Sequence, residues 1–240
     1  MLGYPDAALV DTSRAVEEAR EIGQAATLMY ALVHALLIHI QCGNYAVANA
    51  EADELVALAN EKGALFWKAQ GMSKQGCILA LTGKAAEAVQ MITSGIAAWR
   101  STGSTAWMPL YLAYLARAHA ELGQFEHAWR CIDEAMMAAE TTKERWHEAD
   151  VHRLAGEIAL LSPEPDAAKA YFERALSVAR AQQAKSWELR AAMSMARMWR
   201  DQGKHKQAHD LLAPFYGWFT EGFATLDLKQ AKVLLDALAS

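Results

Sequence analysis

Apolar residues in this chain come in helix-length blocks, and glycines separate the blocks at two fixed phases. One block runs from about Leu65 to Leu81 and is closed by Thr82-Gly83; the next runs from about Ala85 to Ser101 and is closed by Gly103. Gly3, Gly43, Gly83, Gly123 and Gly203 lie on a 40-residue period with Pro163 in the vacant slot, and Gly23, Gly63 and Gly103 repeat a second phase. A glycine just past an apolar block stops a helix in the left-handed conformation. The pattern predicts antiparallel helix pairs joined by short turns, repeated along the chain.

Small residues keep the same time. Ala8, Ala48, Ala88, Ala128, Ala168 and Ala208 each follow a turn position by five residues, and Gly76, Ala116, Gly156 and Ala196 precede one by seven. Glycine inside a helix costs ~1 kcal/mol relative to alanine, so a close helix–helix approach must offset it. The phased alanine is the expected facing contact.

The first repeat is short. Met1-Leu2-Gly3 reads as the tail of a missing first helix, followed by a helix from about Pro5 to Ile22, with proline tolerated in the first turn. Five full repeats follow at 24–63, 64–103, 104–144, 145–184 and 185–219. Ser162-Pro163-Glu164-Pro165 replaces one turn glycine with a stronger stop. Thr220-Glu221-Gly222 breaks the pattern, and Leu226–Leu238 reads as a last helix with Asp227, Lys229, Gln230 and Lys232 on a wet outer side. The expected fold is all-α, an αα-hairpin solenoid wound as a right-handed superhelix: a partial repeat over 1–23, five helix pairs over 24–219, and a capping helix within 220–240.

The composition is helical, with five prolines. Cys42, Cys77 and Cys131 show no CxxC pairing and read as reduced thiols of a cytoplasmic protein. A net charge of −5 argues against a nucleic-acid partner. The apolar run Ala31–Ile40 carries His34 and His39 and falls short of the ~20 residues of a membrane span, and no signal peptide is expected.

Leu122-Gly123-Gln124-Phe125-Glu126-His127-Ala128, with Ala116 seven positions before its glycine, resembles a tetratricopeptide repeat lengthened by about six residues. Three further blocks extend the likeness: Glu144–Leu154, Ala184–Ala192 and Tyr216–Phe223. Together they resemble the C-terminal tetratricopeptide region of large bacterial proteins that carry a class III adenylate/guanylate cyclase domain and a signalling-type ATPase domain. A related region occurs in maltose-type transcription activators. The resemblance covers 140–240 by its motifs and 1–140 through the repeat phase. It implies a sensor or interaction arm attached to a cyclase–ATPase, whose own motifs are absent from this chain.

Catalytic motifs fail on spacing. A P-loop would need a hydroxyl after Gly83-Lys84, where Ala85 stands, and a glycine where Ile78 stands. His147-Glu148 resembles the start of a zinc motif, but His152 lies at i+5, about 140° round the helix instead of the ~40° a shared metal needs. His205 and His209 have i, i+4 spacing without a third ligand, and His34 and His119 read as packed residues. Ser94-Gly95 lacks a nucleophile elbow, and Cys77 reads as an inert buried thiol. No catalytic residue, metal or cofactor is expected.

Trp67, Trp107, Trp146 and Trp187 recur near the starts of first helices. They read either as packing between repeats or as an aromatic ladder that grips a peptide or ring-bearing ligand. In a tetratricopeptide array the first helices line the concave groove. That register places Tyr30, Leu37, Gln70, Ser73, Cys77, Ala113, Arg117, Asp150, Arg153, Glu157, Arg190, Met193 and Arg197 inward. The groove arginines suit carboxylate or phosphate recognition. Alternatively Arg117–Glu121, Arg153–Glu157 and Arg197–Asp201 pair with themselves at i, i+4 for ~0.3 kcal/mol each. A binding groove would lose affinity on Arg190→Ala with helix content intact.

The expected function is a non-enzymatic interaction and regulatory module that binds a protein segment, or the parent's own ATPase or cyclase domain. The alternative is a small-molecule sensor with its ligand in the groove. A homodimer through an unmatched apolar face near Ala8, Val16 and Ala19 is a further expectation.

Overall fold

The computed structural model describes residues 1–163 and 165–239, and all their regular structure is helical. The helices are α1 (Pro5–Ile22), α2 (Ala25–Cys42), α3 (Tyr45–Glu61), α4 (Leu65–Leu81), α5 (Ala85–Ser101), α6 (Met108–Glu121), α7 (Phe125–Thr142), α8 (Glu148–Leu161), α9 (Ala168–Ala181), α10 (Lys185–Asp201), α11 (His205–Tyr216) and α12 (Leu226–Ala239). A 3-10 turn over Pro165–Ala167 precedes α9. Glu164, part of the predicted proline stop, lies outside the described residues, as does Ser240.

The two glycine phases mark left-handed turns. Gly23, Gly43, Gly63, Gly83, Gly103, Gly123 and Gly203 have φ between +64° and +79°. The same conformation persists where the second phase has lost its glycine: Lys143 and Gln183 have φ of +61° and +53°. A side chain in this region is strained by crowding between Cβ and the backbone. Gln183→Gly is expected to raise the unfolding free energy by roughly 0.5–1 kcal/mol, read from a urea titration.

The chain forms two compact units. One is Ala7–Glu144; the other joins Met1–Asp6 to Arg145–Ser240. In the first unit α2–α3, α4–α5 and α6–α7 are hairpins, and the first helices α2, α4 and α6 also touch one another in order. In the second, α8–α9 and α10–α11 are hairpins, and α8, α10 and α12 touch in order. Each unit is thus an αα-hairpin solenoid with its first helices side by side. The division falls between the third and fourth predicted repeats.

The phased small residues hold the hairpins together. Ala48, Ala88, Ala128, Ala168 and Ala208 are fully buried; Ala8 is only partly covered. The contact across the close approach differs from the predicted one. A Cβ on Gly76 would meet the Ile92 side chain at 2.5 Å and its backbone nitrogen at 2.9 Å, and one on Gly156 would collide with the Phe172 ring. Ile92 and Phe172 lie one turn beyond the phased alanines. The alanine lets the helices close, and the large residue four positions on fills the space above the glycine.

Two other expectations change. Val16 and Ala19 are buried, with Val16 in a cluster with Met29 and Leu32, so of the three residues expected on an open apolar face only Ala8 stays partly exposed. Helix α2 is longer than the apolar run read from the sequence. By length and composition alone its 18 residues could cross a membrane, yet over half of it is buried against its neighbours.

Candidate functional site

The first helices α8 and α10 and the last helix α12 bring charged side chains together into a polar cluster. Asp150 is buried on α8 and accepts a hydrogen bond from Arg153 Nε; its other oxygen lies 3.6 Å from His147 Nε2. Arg153 Nη1 donates to Glu157 at 2.6 Å, and Ser194 Oγ on α10 donates to the same Glu157 oxygen at 2.8 Å. Arg190 Nε donates to Asp227 on α12 at 2.6 Å, with its guanidinium 5.0 Å above the Trp187 ring. Arg197 Nη2 donates to the Gln230 amide oxygen at 3.0 Å.

Burial and charge set the protonation states. Burial works against a charged Asp150, but Arg153, His147 and Arg190 outweigh it and hold the carboxyl at about 2. Burial pushes His147 down to about 4; Asp150 opposes this, while Arg190 and Arg153 add to it. At neutral pH the buried pair is therefore an ionised carboxylate beside a neutral imidazole.

The predicted groove residues divide sharply. Tyr30 is exposed, and Arg117, Glu157, Arg190 and Arg197 are half-buried. Leu37, Gln70, Ser73, Cys77, Ala113, Asp150, Arg153 and Met193 are buried, so they present little surface to a partner. Ser73 is buried because α5 rests on it: a Cβ on Gly95 would collide with Ser73 Oγ and lie 2.9 Å from its backbone nitrogen. Burial raises the Cys77 thiol to about 12, with Lys74 opposing.

Pairing follows the i, i+4 expectation at Arg117–Glu121 (3.0 Å) and Arg153–Glu157 (2.6 Å), but not at Arg197. Asp201 bonds Arg200 instead, at 2.8 Å. Asp227, expected on the wet side of the last helix, faces α10 and anchors Arg190. Arg190→Ala therefore acts first on the fold. It is expected to lower the unfolding free energy by about 2 kcal/mol, because a half-buried charge-assisted bond is lost and Asp227 is left unpaired. Thermal denaturation followed at 222 nm checks this.

A shallow groove lies between α10 and α12, lined by Arg197, Arg200, Lys229, Gln230, Val233 and Leu234. Arg197 bonds Gln230 and lies in the field of the Glu157 and Asp227 carboxylates, Arg200 bonds Asp201, and Lys229 lines the groove beside them. Beside these cations Val233 is 69% exposed.

In the Ala7–Glu144 unit, sequence reasoning missed Lys74. It sits fully buried on α4, its ammonium donating to Gln70 Oε1 at 3.1 Å and to Tyr111 Oη at 3.5 Å, 4.6 Å from the Trp107 ring centre. Burial pushes its pKa down to about 7, against the pull of Cys77 and Glu144. The available signal was a lysine placed between Ser73 and the Gly76–Cys77 packing position. Trp107 itself has φ +66°, and its N–H donates to Glu144 at 2.8 Å. From there a row of rings runs outward: Trp107 to His34 (6.1 Å), His34 to Tyr30 (4.3 Å) and Tyr30 to Trp67 (6.2 Å). Trp187 is buried and donates Nε1–H to the Trp146 carbonyl at 2.9 Å, so that end of the tryptophan series serves packing.

Among the described residues no three His, Cys, Asp or Glu side chains group as a metal would require. No protein-family model matches the chain, and no curated protein matches it. In fold it is similar to BtubC (BKLC) from P. vanneervenii. That crystal structure shares 16% sequence identity at a TM-score of 0.60, over 99% of this chain and 93% of that one. Identity this low carries the fold alone.

Proposed function

We propose that the chain is a non-catalytic, cytoplasmic interaction and regulatory module of tetratricopeptide type. It is the C-terminal sensor or scaffold arm of a larger bacterial cyclase–ATPase signalling protein, and its first-helix face takes a protein segment. The observation that carries this reading is the α10–α12 groove, where Arg197, Arg200 and Lys229 stand beside exposed Val233. Cations beside an apolar strip suit an acidic segment with apolar side chains of its own, and binding that favours one state of the parent would regulate it.

The test is isothermal titration with the ATPase and cyclase domains encoded beside this chain. Binding is expected to weaken with salt and to fall by about tenfold in Lys229→Glu, since a rim charge is reversed. Neighbouring genes or segments that encode neither domain would remove the parent assignment.

The ring row Tyr30–His34–Trp107 favours one second reading, a small-molecule sensor whose ligand stacks on these rings. A metabolite screen by thermal shift separates the two, because a ligand bound only to the folded state raises the melting temperature.

A further inference from the structure

Residues 1–6 are held by the unit that contains Arg145–Ser240. The Ser186 N–H donates to the Met1 carbonyl at 3.0 Å, and the Gly222 N–H donates to the Asp6 carboxylate at 2.8 Å. The Tyr4 and Trp218 rings meet edge-on with centroids 5.8 Å apart. Met1 packs against the cluster that contains Trp187. The fit is close at both glycines: a Cβ on Gly3 would collide with the Trp218 ring, and one on Gly222 with Pro5. Shape, a backbone bond, a carboxylate and an aromatic contact together specify this segment.

The attachment of the segment is thin by comparison. From Ala7 onward α1 belongs to the other unit, and of its eighteen residues only Val16 and Ala19 are buried. It meets α2 across Gly23-Gln24, where Gly23 is left-handed. Residues 1–6 are therefore recognised in detail, while the helix that follows is held by two buried side chains and the Arg20–Glu54 ion pair at 2.7 Å. The same segment of another molecule would bring the same contacts to this seat. We propose that this seat, formed by Ser186, Trp218 and Gly222, is an interaction surface for a second copy of this chain, whose Met1–Asp6 segment it takes up by exchange.

Complementation in the full chain tests it. Gly3→Val spoils the segment and leaves the seat; Gly222→Val spoils the seat and leaves the segment. Each variant alone is expected to show the mass of one chain by light scattering. An equal mixture is expected to show a two-chain species, joined by the one intact segment in the one intact seat. Adding Asp6→Ala to the Gly222→Val copy should weaken that pair by about tenfold, through loss of a charge-assisted bond. Trp218→Ala replaces Gly222→Val should circular dichroism show the latter misfolded. A mixture of folded variants that stays at the mass of one chain overturns the proposal. So does a two-chain species formed by either variant alone, which would place the contact elsewhere.

Discussion

Gly76→Val is expected to destabilise the Ala7–Glu144 unit by more than about 3 kcal/mol, beyond the ordinary cost of overpacking, because the neighbour that must yield is backbone. A side chain at Gly76 meets the Ile92 nitrogen at 2.9 Å as well as its side chain, so rotamer changes alone cannot relieve the clash. The α4–α5 pair would have to separate, and with it the contacts that α4 makes with α2 and α6. A urea titration by circular dichroism measures the effect. Gly63→Ala is the control. At φ +64° with nothing within 4 Å, it is expected to cost only about 1–2 kcal/mol, as left-handed strain without a clash. Equal losses in the two variants would show that α4 and α5 are not in close contact at this point.

Lys74→Met is expected to stabilise the protein at neutral pH and to flatten its pH dependence above neutrality. The folded-state pKa of Lys74, about 7, lies below its ordinary value of 10.5. Between those values the unfolded chain holds a proton that the folded chain has released, so stability rises with pH across that window. Below about pH 7 both states are protonated and the penalty is complete, at most about 5 kcal/mol from the size of the shift. The gain in Lys74→Met is smaller, since buried Gln70 loses its ammonium donor, and that costs about 1–3 kcal/mol. Unfolding free energies at pH 7 and pH 10 decide the matter. The variant should exceed the wild type by about 2 kcal/mol at pH 7 and lose that advantage at pH 10. An advantage of equal size at both values would show that Lys74 keeps its proton throughout.

Both variants probe α4, and α4 shows where sequence reasoning reached its limit. The glycine at 76 announced a close approach, because nothing else offsets its cost inside a helix. Its neighbour across the interface was assigned to the phased alanine. The helices cross so that Ile92, one turn later, lies over the glycine. Sequence spacing fixes which face of a helix meets its partner, but the offset along the two axes comes from how whole side chains interlock. Lys74 was missed for a related reason. A lysine reads as solvent-facing by composition, and only Gln70, Tyr111 and Trp107, gathered from α4, α6 and the turn before α6, make its burial tolerable.

The candidate site divides in the same way. Arg153–Glu157 and Arg117–Glu121 were legible because a single helix supplies both partners. Arg190–Asp227 and Ser194–Glu157 join different helices, so their bonds follow from the stacking of hairpins rather than from spacing. The seat for residues 1–6 gave no sequence signal at all, since its donors Ser186 and Gly222 lie 185 and 216 residues away from their acceptors Met1 and Asp6.

The sequence by itself determined the helices, their ends and the hairpin repeat, because caps and periodic small residues act through a few neighbouring positions. At Lys143 and Gln183 the turn even outlives the glycine that announced it. Tertiary structure alone decided which polar residues are buried, which arginines are already paired, and where the chain divides into two units. Those outcomes depend on which distant side chains share each interface, and no local spacing encodes that.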